Sequence, residues 1–252
     1  STILPDALKT DNEFIVVLDS RLLDLYKASF KDFKNVVFLD SADNEDLYDY
    51  HLPFASLGQF FRNSKQDFLN QKIPLLEADK AYTKTLRNRI NSGNKHICGI
   101  SWMSKNPKIG DSKSMRLEDF KSIFSLPGID FVDLQYGDTK KEKKELKDNF
   151  GFELIEMTDI DNFNDIGKLA SLINACDFVV TTSNVTAHIA GALNKKTYQI
   201  LPYTEGRIWY WGINENSSLW YPSIRLLRAD NLKDWKTPIK NLVDSLSQEI
   251  KL

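Results

Sequence analysis

The segment between residues 179 and 193 places hydroxyl, amide and imidazole side chains where a strand-like stretch meets a helix-like one. The apolar pair Val179-Val180 leads into Thr181-Thr-Ser183-Asn184, and the residues from 187 to 192 are mostly small. Small residues let a helix lie close to a sheet, and the helix N-terminus carries unpaired N–H groups and the positive end of the dipole. This arrangement predicts an anion site suited to a pyrophosphate.

Four polar residues of this segment are candidate ligand contacts. Ser183 or Asn184 can cap the predicted helix or bond a phosphate, Thr186 follows in the first turn, and His188 lies one turn in. A lone histidine is more often a satisfied structural residue than a functional one. The strand-to-helix context nevertheless favours a ligand contact for His188.

A second polar segment follows the apolar residues 97–100 and contains three lysines, a proline and a glycine. Its candidate binding residues are Ser101, Trp102 and Lys105, with Lys108 and Lys113 next in order. A long cationic side chain in such a loop can reach a diphosphate. On the loop alone, a solvated segment without a ligand is the simpler interpretation.

Two further candidates stand near predicted strand ends, where open parallel sheets bind their ligands. Gln135 follows an apolar run directly. Phe163 lies in the acidic and amide segment 159–165, whose Asp and Asn residues are explained as helix caps. Phe163 itself can stack on a flat ligand or pack at the start of the following helix as a structural residue.

Three of the five tryptophans, Trp209, Trp211 and Trp220, fall in the loop-like region 202–222. Exposed aromatic rings at a crevice are typical of sugar or base contacts. Buried packing of the loop explains the same residues equally well.

Composition and charge exclude several classes of protein. The 252 residues are 42% apolar and 12% aromatic, which predicts a packed core. A formal net charge of −2 argues against nucleic acid as a partner. No apolar run reaches the roughly 18 residues of a membrane helix. The only cysteines, Cys98 and Cys176, predict reduced, half-buried thiols in a cytoplasmic protein, without a zinc site.

Apolar runs rich in β-branched residues alternate with segments of helical period, which predicts parallel βαβ units and an α/β fold. The predicted strands are 14–18, 36–39, 97–101, 131–135, 152–157, 178–182, 197–201 and 224–227. Helices are predicted between the first two strands and at 55–62, 79–90, 116–124, 140–149, 165–175, 185–193 and 231–250.

A polar stretch rich in helix breakers at 91–94 predicts a domain boundary. We expect a doubly wound domain over residues 94–252 and a smaller α/β unit over residues 1–93. The chain opens on Ser1-Thr-Ile-Leu without a methionine, so we expect a fragment with a truncated N-terminal domain.

A set of short segments also stands in an order typical of one enzyme group. They are Asp49-Tyr-His-Leu-Pro-Phe-Ala-Ser-Leu57, Gly99-Ile-Ser-Trp102, Leu134-Gln135, Asn162-Phe-Asn-Asp165, Ala187-His-Ile-Ala-Gly-Ala-Leu193, Leu201-Pro-Tyr203, Arg207 with Trp209, Trp220-Tyr-Pro-Ser223, Arg225-Leu-Leu-Arg228 and Asp234-Trp235. Together they resemble the glycosyltransferase-like domains often attached to tetratricopeptide arrays. These are relatives of the ADP-heptose heptosyltransferases, with some likeness to protein O-GlcNAc transferases.

The resemblance implies a GT-B fold, in which two doubly wound, Rossmann-like domains face a cleft. Residues 1–93 would form the acceptor side, and residues 94–252 would bind a nucleotide-sugar donor, UDP- or ADP-linked, without a metal or other cofactor. The resemblance assigns the donor diphosphate to the segment 183–188 and to a basic residue of the loop 101–105. It leaves the acceptor open between a glycan, a lipid-linked sugar and a protein.

Two departures from the family pattern limit what is carried over. Relatives often have an aspartate where this chain has Ser183, so a carboxylate contact is missing. Their Gly-rich loop, near which the heptosyltransferases place the catalytic acid, would precede residue 1, so no catalytic residue is assigned. We predict a glycosyltransferase that is the core of a longer protein with tetratricopeptide repeats upstream, with a non-catalytic nucleotide-sugar or protein-binding module as the alternative. A sugar-nucleotide epimerase would need more histidines than His51, His96 and His188.

Overall fold

Helices and strands alternate along residues 2–91, 93–203, 208–232 and 234–250, which a computed structural model describes. The strands are β1 (Phe14–Val17), β2 (Val36–Leu39), β3 (His96–Ser101), β4 (Ile129–Asp133), β5 (Phe178–Thr181), β6 (Thr197–Leu201) and β7 (Ile224–Arg228). The α-helices are α1 (Leu4–Ala7), α2 (Leu23–Ser29), α3 (Gly58–Phe61), α4 (Gln66–Leu69), α5 (Lys80–Ile90), α6 (Lys121–Phe124), α7 (Lys140–Phe150), α8 (Ile166–Ala175), α9 (Val185–Ala192) and α10 (Lys236–Glu249). Arg207, which belongs to the set of residues that carries the family resemblance, lies outside the described residues.

The larger sheet has five parallel strands in the order β4-β3-β5-β6-β7. Strand β3 has β4 on one side and β5 on the other, so the chain changes direction across the sheet at this point. Such a switch point leaves a crevice outside the carboxyl ends of the two strands, where ligands of open α/β sheets bind. Here the crevice lies beside Ser101 and Thr181, which are register partners at the ends of β3 and β5.

Helices cover both faces of this sheet. One face packs against α8 and α9, with Leu169 and Ala190 in the buried cluster, and the other packs against α6 and α10 through Ile123 and Leu242. Strands buried on both faces are nearly continuous apolar runs, as Phe178-Val-Val of β5 is before the strand ends at Thr181. The predicted α/β class with parallel sheets is confirmed.

A second, two-stranded parallel sheet is formed by β1 and β2, which α2 connects. Its core is continuous with that of the larger sheet, because Val16 of β1, Phe38 of β2 and Leu169 of α8 belong to one buried cluster. Helix α5 precedes the boundary expected at 91–94 and yet packs along α8. The division into residues 1–93 and 94–252 stays a prediction.

Three predicted elements are wrong in extent. The run 152–157 makes only a bridge between Ile155 and Val132, beside the edge strand β4. The segment 116–124 is a 3-10 turn, Leu117–Phe120, followed by the short helix α6. The last helix begins at Lys236 rather than 231, since Pro238 lacks an N–H and fits only the first turn of a helix.

Smaller differences concern the first unit and the cysteines. The predicted helix 55–62 is a 3-10 turn, Phe54–Leu57, that continues into α3. Both cysteines are fully buried rather than half-buried, and neither forms a disulfide. Across the described ranges, every helix falls short of the length and apolarity needed to cross a bilayer.

Candidate functional site

Buried polar side chains form a hydrogen-bond network at the switch-point crevice, and Asn184 is at its centre. Asn184 is the N-cap of α9, and its Oδ1 accepts hydrogen bonds from the backbone N–H groups of Thr186 and Ala187. Its Nδ2 donates to Ser101 Oγ at 2.7 Å and to the carbonyl of Met103 at 3.2 Å. Asn184 therefore joins the start of α9 to the end of β3.

Gln135 ties the end of β4 into the same network. Its Oε1 accepts from Ser101 Oγ at 3.1 Å and from the backbone N–H groups of Trp102 and Met103, both at 2.9 Å. Its Nε2 donates to the carbonyl of Tyr136 at 3.0 Å. A buried amide with this many partners fixes the geometry of the chain that surrounds it.

This network changes the role of several predicted binding residues. The buried side chains Ser101, Gln135, Asn184 and Thr186 bond to one another and to backbone groups, so they present no free polar group to a ligand. Trp102 is buried in the core, and its indole N–H donates to Glu142. The expected row of free N–H groups at the start of α9 is shortened, because Asn184 already accepts from two of them.

Ser183 is buried beneath the loop that carries the aromatic residues. Its side chain is 1% exposed, and its Oγ accepts a hydrogen bond from Trp211 Nε1 at 3.0 Å. The position at which relatives often carry an aspartate therefore faces an indole in this chain, rather than open solvent.

His188 is half-buried among three aromatic rings. Its Nε2 lies 2.6 Å from Tyr210 Oη, its Nδ1 lies 3.3 Å from Tyr221 Oη, and its ring stacks on Trp211 at 5.0 Å between centroids. Burial is the largest cause that lowers the pKa of His188, and nearby positive charge that includes Lys113 adds to it, so the pKa is about 4 and the imidazole is neutral. A neutral imidazole has one donor and one acceptor nitrogen, so one tyrosine donates to it and the other accepts.

Lys113 is the buried cation of the site. Its side chain is only 5% exposed, and no hydrogen bond or ion pair joins its ammonium group to a carboxylate among the described residues. Burial lowers the pKa of this lysine, and its charge acts on His188 one turn into α9. The sequence favours Lys105 over Lys113 as the diphosphate contact, because the burial of a lysine in a polar loop cannot be predicted from neighbouring residues.

The loop that carries Lys113 is fixed by hydrogen bonds at both ends. Ser104 N donates to Ser114 Oγ at 2.8 Å, and Met115 N donates to the carbonyl of Trp102 at 2.9 Å. Between them, Gly110 lies so close to the backbone carbonyls of Ser104 and Asn106 that a Cβ atom would collide with both. Lys113 is thus held beside the end of β3.

Lys105 lies beside the residues that follow β4 and is exposed. Its backbone N–H donates to Tyr136 Oη at 3.0 Å, and its side chain runs against Gly137, just beyond β4. Lys108, the next lysine, is exposed on the same loop.

A cavity of about 200 Å³ opens below Lys105, between the end of β4 and the segment before α8. Gln135, Tyr136, Gly137, Asp161 and Phe163 are part of its lining. So is Asn162, whose Oδ1 is buried without a hydrogen-bond partner among the described residues, while its Nδ2 donates to the carbonyl of Gln135 at 3.2 Å. Asn162, a residue of the lining, therefore has an acceptor atom that no described group uses.

Phe163 is less free to stack on a ligand than its sequence position indicates. The ring is 49% exposed, but the Arg21 guanidinium lies over it at 4.6 Å, and the ring of Tyr136 lies 5.9 Å away. Arg21 also donates to the carbonyl of Phe163 at 3.0 Å, so Phe163 links the small unit to the larger domain.

Arg21 is a residue of the site that sequence reasoning missed. Asp19 accepts from its Nε and Nη2 groups, both at 2.8 Å, and this pairing holds the pKa of Asp19 at about 2. The pattern Asp-x-Arg directly after a predicted strand is a weak signal of such a fixed guanidinium. Its contact with Phe163, across 142 positions of sequence, has no local signature.

Over the residues that the structure describes, no group of three or more His, Cys, Asp and Glu side chains is positioned to hold an ion. The positive charges near the crevice belong to lysine and arginine side chains.

The chain was compared with known proteins. No family model matches it. Protein FlbA from Caulobacter vibrioides is 24% identical over 269 residues, which cover 98% of this chain and 43% of FlbA. The chain therefore spans less than half the length of this relative.

Two of the solved structures that match the chain are glycosyltransferases by their printed names. The ADP-heptose lipopolysaccharide heptosyltransferase II of E. coli aligns with a TM-score of 0.55 and 16% identity, over 99% of this chain and 81% of that chain. A glycosyl transferase family 9 structure from Veillonella parvula gives a TM-score of 0.47 and 13% identity, over 69% of this chain and 52% of that chain. The likeness to heptosyltransferase II confirms the predicted GT-B-like fold.

Proposed function

We propose that this protein is a glycosyltransferase that takes its sugar from a nucleotide-sugar donor. The donor diphosphate would lie in the switch-point crevice between Lys113 and Lys105, beside the N-terminus of α9. The observation that carries this proposal is Lys113, a lysine that is only 5% exposed and whose ammonium group has no carboxylate partner in the described structure.

A buried cation without a partner is costly, and proteins normally neutralise it or pair it. The lowered pKa of Lys113 reflects that cost. A diphosphate in the crevice would supply the missing negative charge and make a charge-assisted hydrogen bond. The location supports this interpretation, because parallel sheets bind their ligands at the switch point and helix N-termini favour anions.

The fold supports a nucleotide sugar as the source of the diphosphate. A solved structure that shares the GT-B-like fold is, by its printed name, an ADP-heptose heptosyltransferase. In the present chain, the cavity beside Gly137 would receive the base of an ADP- or UDP-linked sugar, and the free Oδ1 of Asn162 could accept from it. The acceptor class is proposed only as a glycan, a lipid-linked sugar or a protein.

The chemical contribution of the lysines follows from the charge that develops during transfer. As the glycosidic bond to the diphosphate breaks, negative charge builds up on the leaving phosphate oxygens. A fixed ammonium group at that position stabilises the transition state more than the ground state. Lys113 and Lys105 would perform this task in place of a metal ion, while neutral His188 holds the adjoining aromatic residues in place.

The proposal is tested by titrating the Lys113→Met variant with ADP and with UDP in a calorimeter. Methionine keeps the aliphatic length and removes the charge, so we expect the affinity to fall on the order of 10- to 100-fold. The melting temperature should stay the same or rise, because the cost of burying the charge disappears. Lys108→Met, on the same loop but exposed, is the matched control. An unchanged dissociation constant for Lys113→Met would refute the site.

A non-catalytic binding module with the same fold is the second candidate. It is favoured by the network at Asn184 and Gln135, because polar groups that a nucleotide sugar would otherwise contact are already hydrogen-bonded within the protein. Release of nucleoside diphosphate from UDP- or ADP-sugars by the full-length protein separates the two functions. Binding without turnover, over a panel of sugar acceptors, supports the module.

A further inference from the structure

Trp209 is an exposed aromatic residue next to the proposed donor site. Its side chain is 73% exposed, whereas Trp102 and Trp211 are buried and Trp220 and Trp235 are half-buried. All the tryptophans of the chain are among the described residues, so Trp209 alone presents most of its indole to solvent. An apolar ring of this size is costly to expose unless it serves an interaction.

Neighbouring rings hold the Trp209 indole in a fixed orientation. Tyr210 meets it at 5.7 Å and 83°, and Trp220 meets it at 6.0 Å and 85°, both nearly perpendicular. Trp220 is supported in turn by Phe68 of α4 at 4.8 Å and 88°. These edge-to-face contacts are favourable geometries for aromatic pairs, so the exposed ring needs little further ordering before it binds.

The turn that presents Trp209 is also well defined. Gly212 N donates to the carbonyl of Trp209 at 3.0 Å, and Gly212 has a φ of 70°, which favours glycine. Glu215 Oε2 accepts from the backbone N–H groups of Ile213 and Asn214 at 3.0 and 3.2 Å, and its Oε1 lies 3.6 Å from Lys65 Nζ. The turn therefore carries polar groups within a few residues of its exposed indole.

A line of aromatic contacts connects Trp209 to the proposed donor site. Tyr210 touches Trp209 on one side, and on the other its hydroxyl lies 2.6 Å from His188 Nε2. His188 is one turn into α9, the helix whose N-terminus borders the crevice. Phe68, which supports Trp220, belongs to the first part of the chain, so the exposed ring stands where the two parts of the molecule meet.

We propose that Trp209 is a stacking platform for a pyranose ring of the acceptor, with Lys65, Asn214 and Glu215 as hydrogen-bonding partners for its hydroxyl groups. This inference rests on the proposed function, since it names the acceptor as a carbohydrate. A pyranose has a C–H face that packs on an indole and a rim of hydroxyls that need polar partners. A flat ring beside a lysine, an amide and a carboxylate matches both requirements.

The test uses saturation-transfer NMR with the full-length protein and a panel of methyl hexopyranosides and bacterial core oligosaccharides. We expect transfer from the protein to the sugar C–H protons in the wild type and in Trp209→Phe, which keeps a flat ring. We expect at least a fivefold loss in Trp209→Leu, which stays apolar but has no flat face. Ile213→Ala is the matched control, because it removes an exposed apolar side chain, 69% exposed, from the same turn.

Each outcome bears on the proposal. Equal losses in Trp209→Leu and Ile213→Ala, or a change of oligomeric state in both, would identify a protein-docking surface and overturn it. A wild type that shows no transfer from any sugar of the panel would overturn it as well. Titration of Trp209→Leu with ADP and UDP keeps the two proposals apart. Nucleotide binding with no sugar contact refutes only the platform, and sugar contact without nucleotide binding refutes only the donor site.

Discussion

The amide nitrogen of Asn184 donates a 2.7 Å hydrogen bond to the hydroxyl of Ser101, across the ends of neighbouring strands. Asn184 also caps α9, and Ser101 in turn bonds to Gln135 at the end of β4. One chain of buried hydrogen bonds thus fixes three neighbouring strand exits and the start of a helix. The charged groups that remain for a ligand come from the loops, chiefly Lys105 and Lys113.

Replacing Gln135 by leucine should strongly destabilise the protein. The change removes the acceptor shared by Ser101 Oγ and the backbone N–H groups of Trp102 and Met103. Each of the two backbone donors left without a partner costs about 1–3 kcal/mol, so we expect a loss of roughly 2–6 kcal/mol in the free energy of unfolding. Urea denaturation followed by circular dichroism measures it.

Gln199→Leu is the matched control for that experiment, with the opposite expected sign. Gln199 lies on β6 and is equally buried, but neither atom of its amide has a hydrogen-bond partner in the described structure. Leucine there removes a desolvation cost of about 1–3 kcal/mol, so stability should rise. Equal losses for both glutamines would show that burial alone, rather than the network, sets their contribution.

Substitution of Gly110 by alanine should displace the loop that carries Lys113. The added Cβ would meet the backbone carbonyls of Ser104 and Asn106, which cannot move without breaking the loop. Such overpacking costs about 1–3 kcal/mol. We expect weaker ADP and UDP binding as well as lower stability, measured by calorimetry and thermal melting.

The same exchange at Gly167, near the start of α8, is the control. A Cβ there meets only Asp165 Oδ1, at 3.8 Å, and alanine favours a helix over glycine. Gly167→Ala should be neutral or slightly stabilising and leave nucleotide binding unchanged. Unaltered binding in Gly110→Ala would mean that the loop tolerates the shift or that Lys113 does not contact the ligand.

His188 should make the protein sensitive to mild acid. Its pKa falls from an ordinary 6.5 to about 4 in the folded state, so the unfolded chain binds the proton more readily between these values. Stability is therefore lost as the pH drops through this window, by about 2 kcal/mol between about pH 7 and about pH 5.

The His188→Gln variant isolates this contribution. Glutamine keeps a polar side chain but does not titrate, so its stability should change less between the two pH values than that of the wild type. Carboxylates such as Asp19 and Asp177 act equally in both proteins and cancel in the difference. Identical pH dependence in the two proteins would contradict the neutral, buried state of His188.

The sequence by itself determined the parts of this protein that depend on neighbouring residues. The run Phe178-Val-Val-Thr of β5, the cap Asn184 and the small residues of α9 predicted a strand, a turn and a closely packed helix, and the structure has them. Alternation of such units predicted the parallel α/β fold. Period, capping and propensity act within a few residues, so a sequence reveals them directly.

Only the tertiary structure decided which polar groups face a ligand. Asn184 and Ser101 are 83 positions apart in the sequence, and Arg21 and Phe163 are 142 positions apart. No local sequence pattern therefore predicts either contact. Lys105 and Lys113 are the same residue type in one polar loop, yet Lys105 is exposed and Lys113 is buried without a carboxylate partner among the described residues. Burial and pairing depend on groups that folding brings together from distant parts of the chain, and those two properties set the cost of a charge and its affinity for an anion.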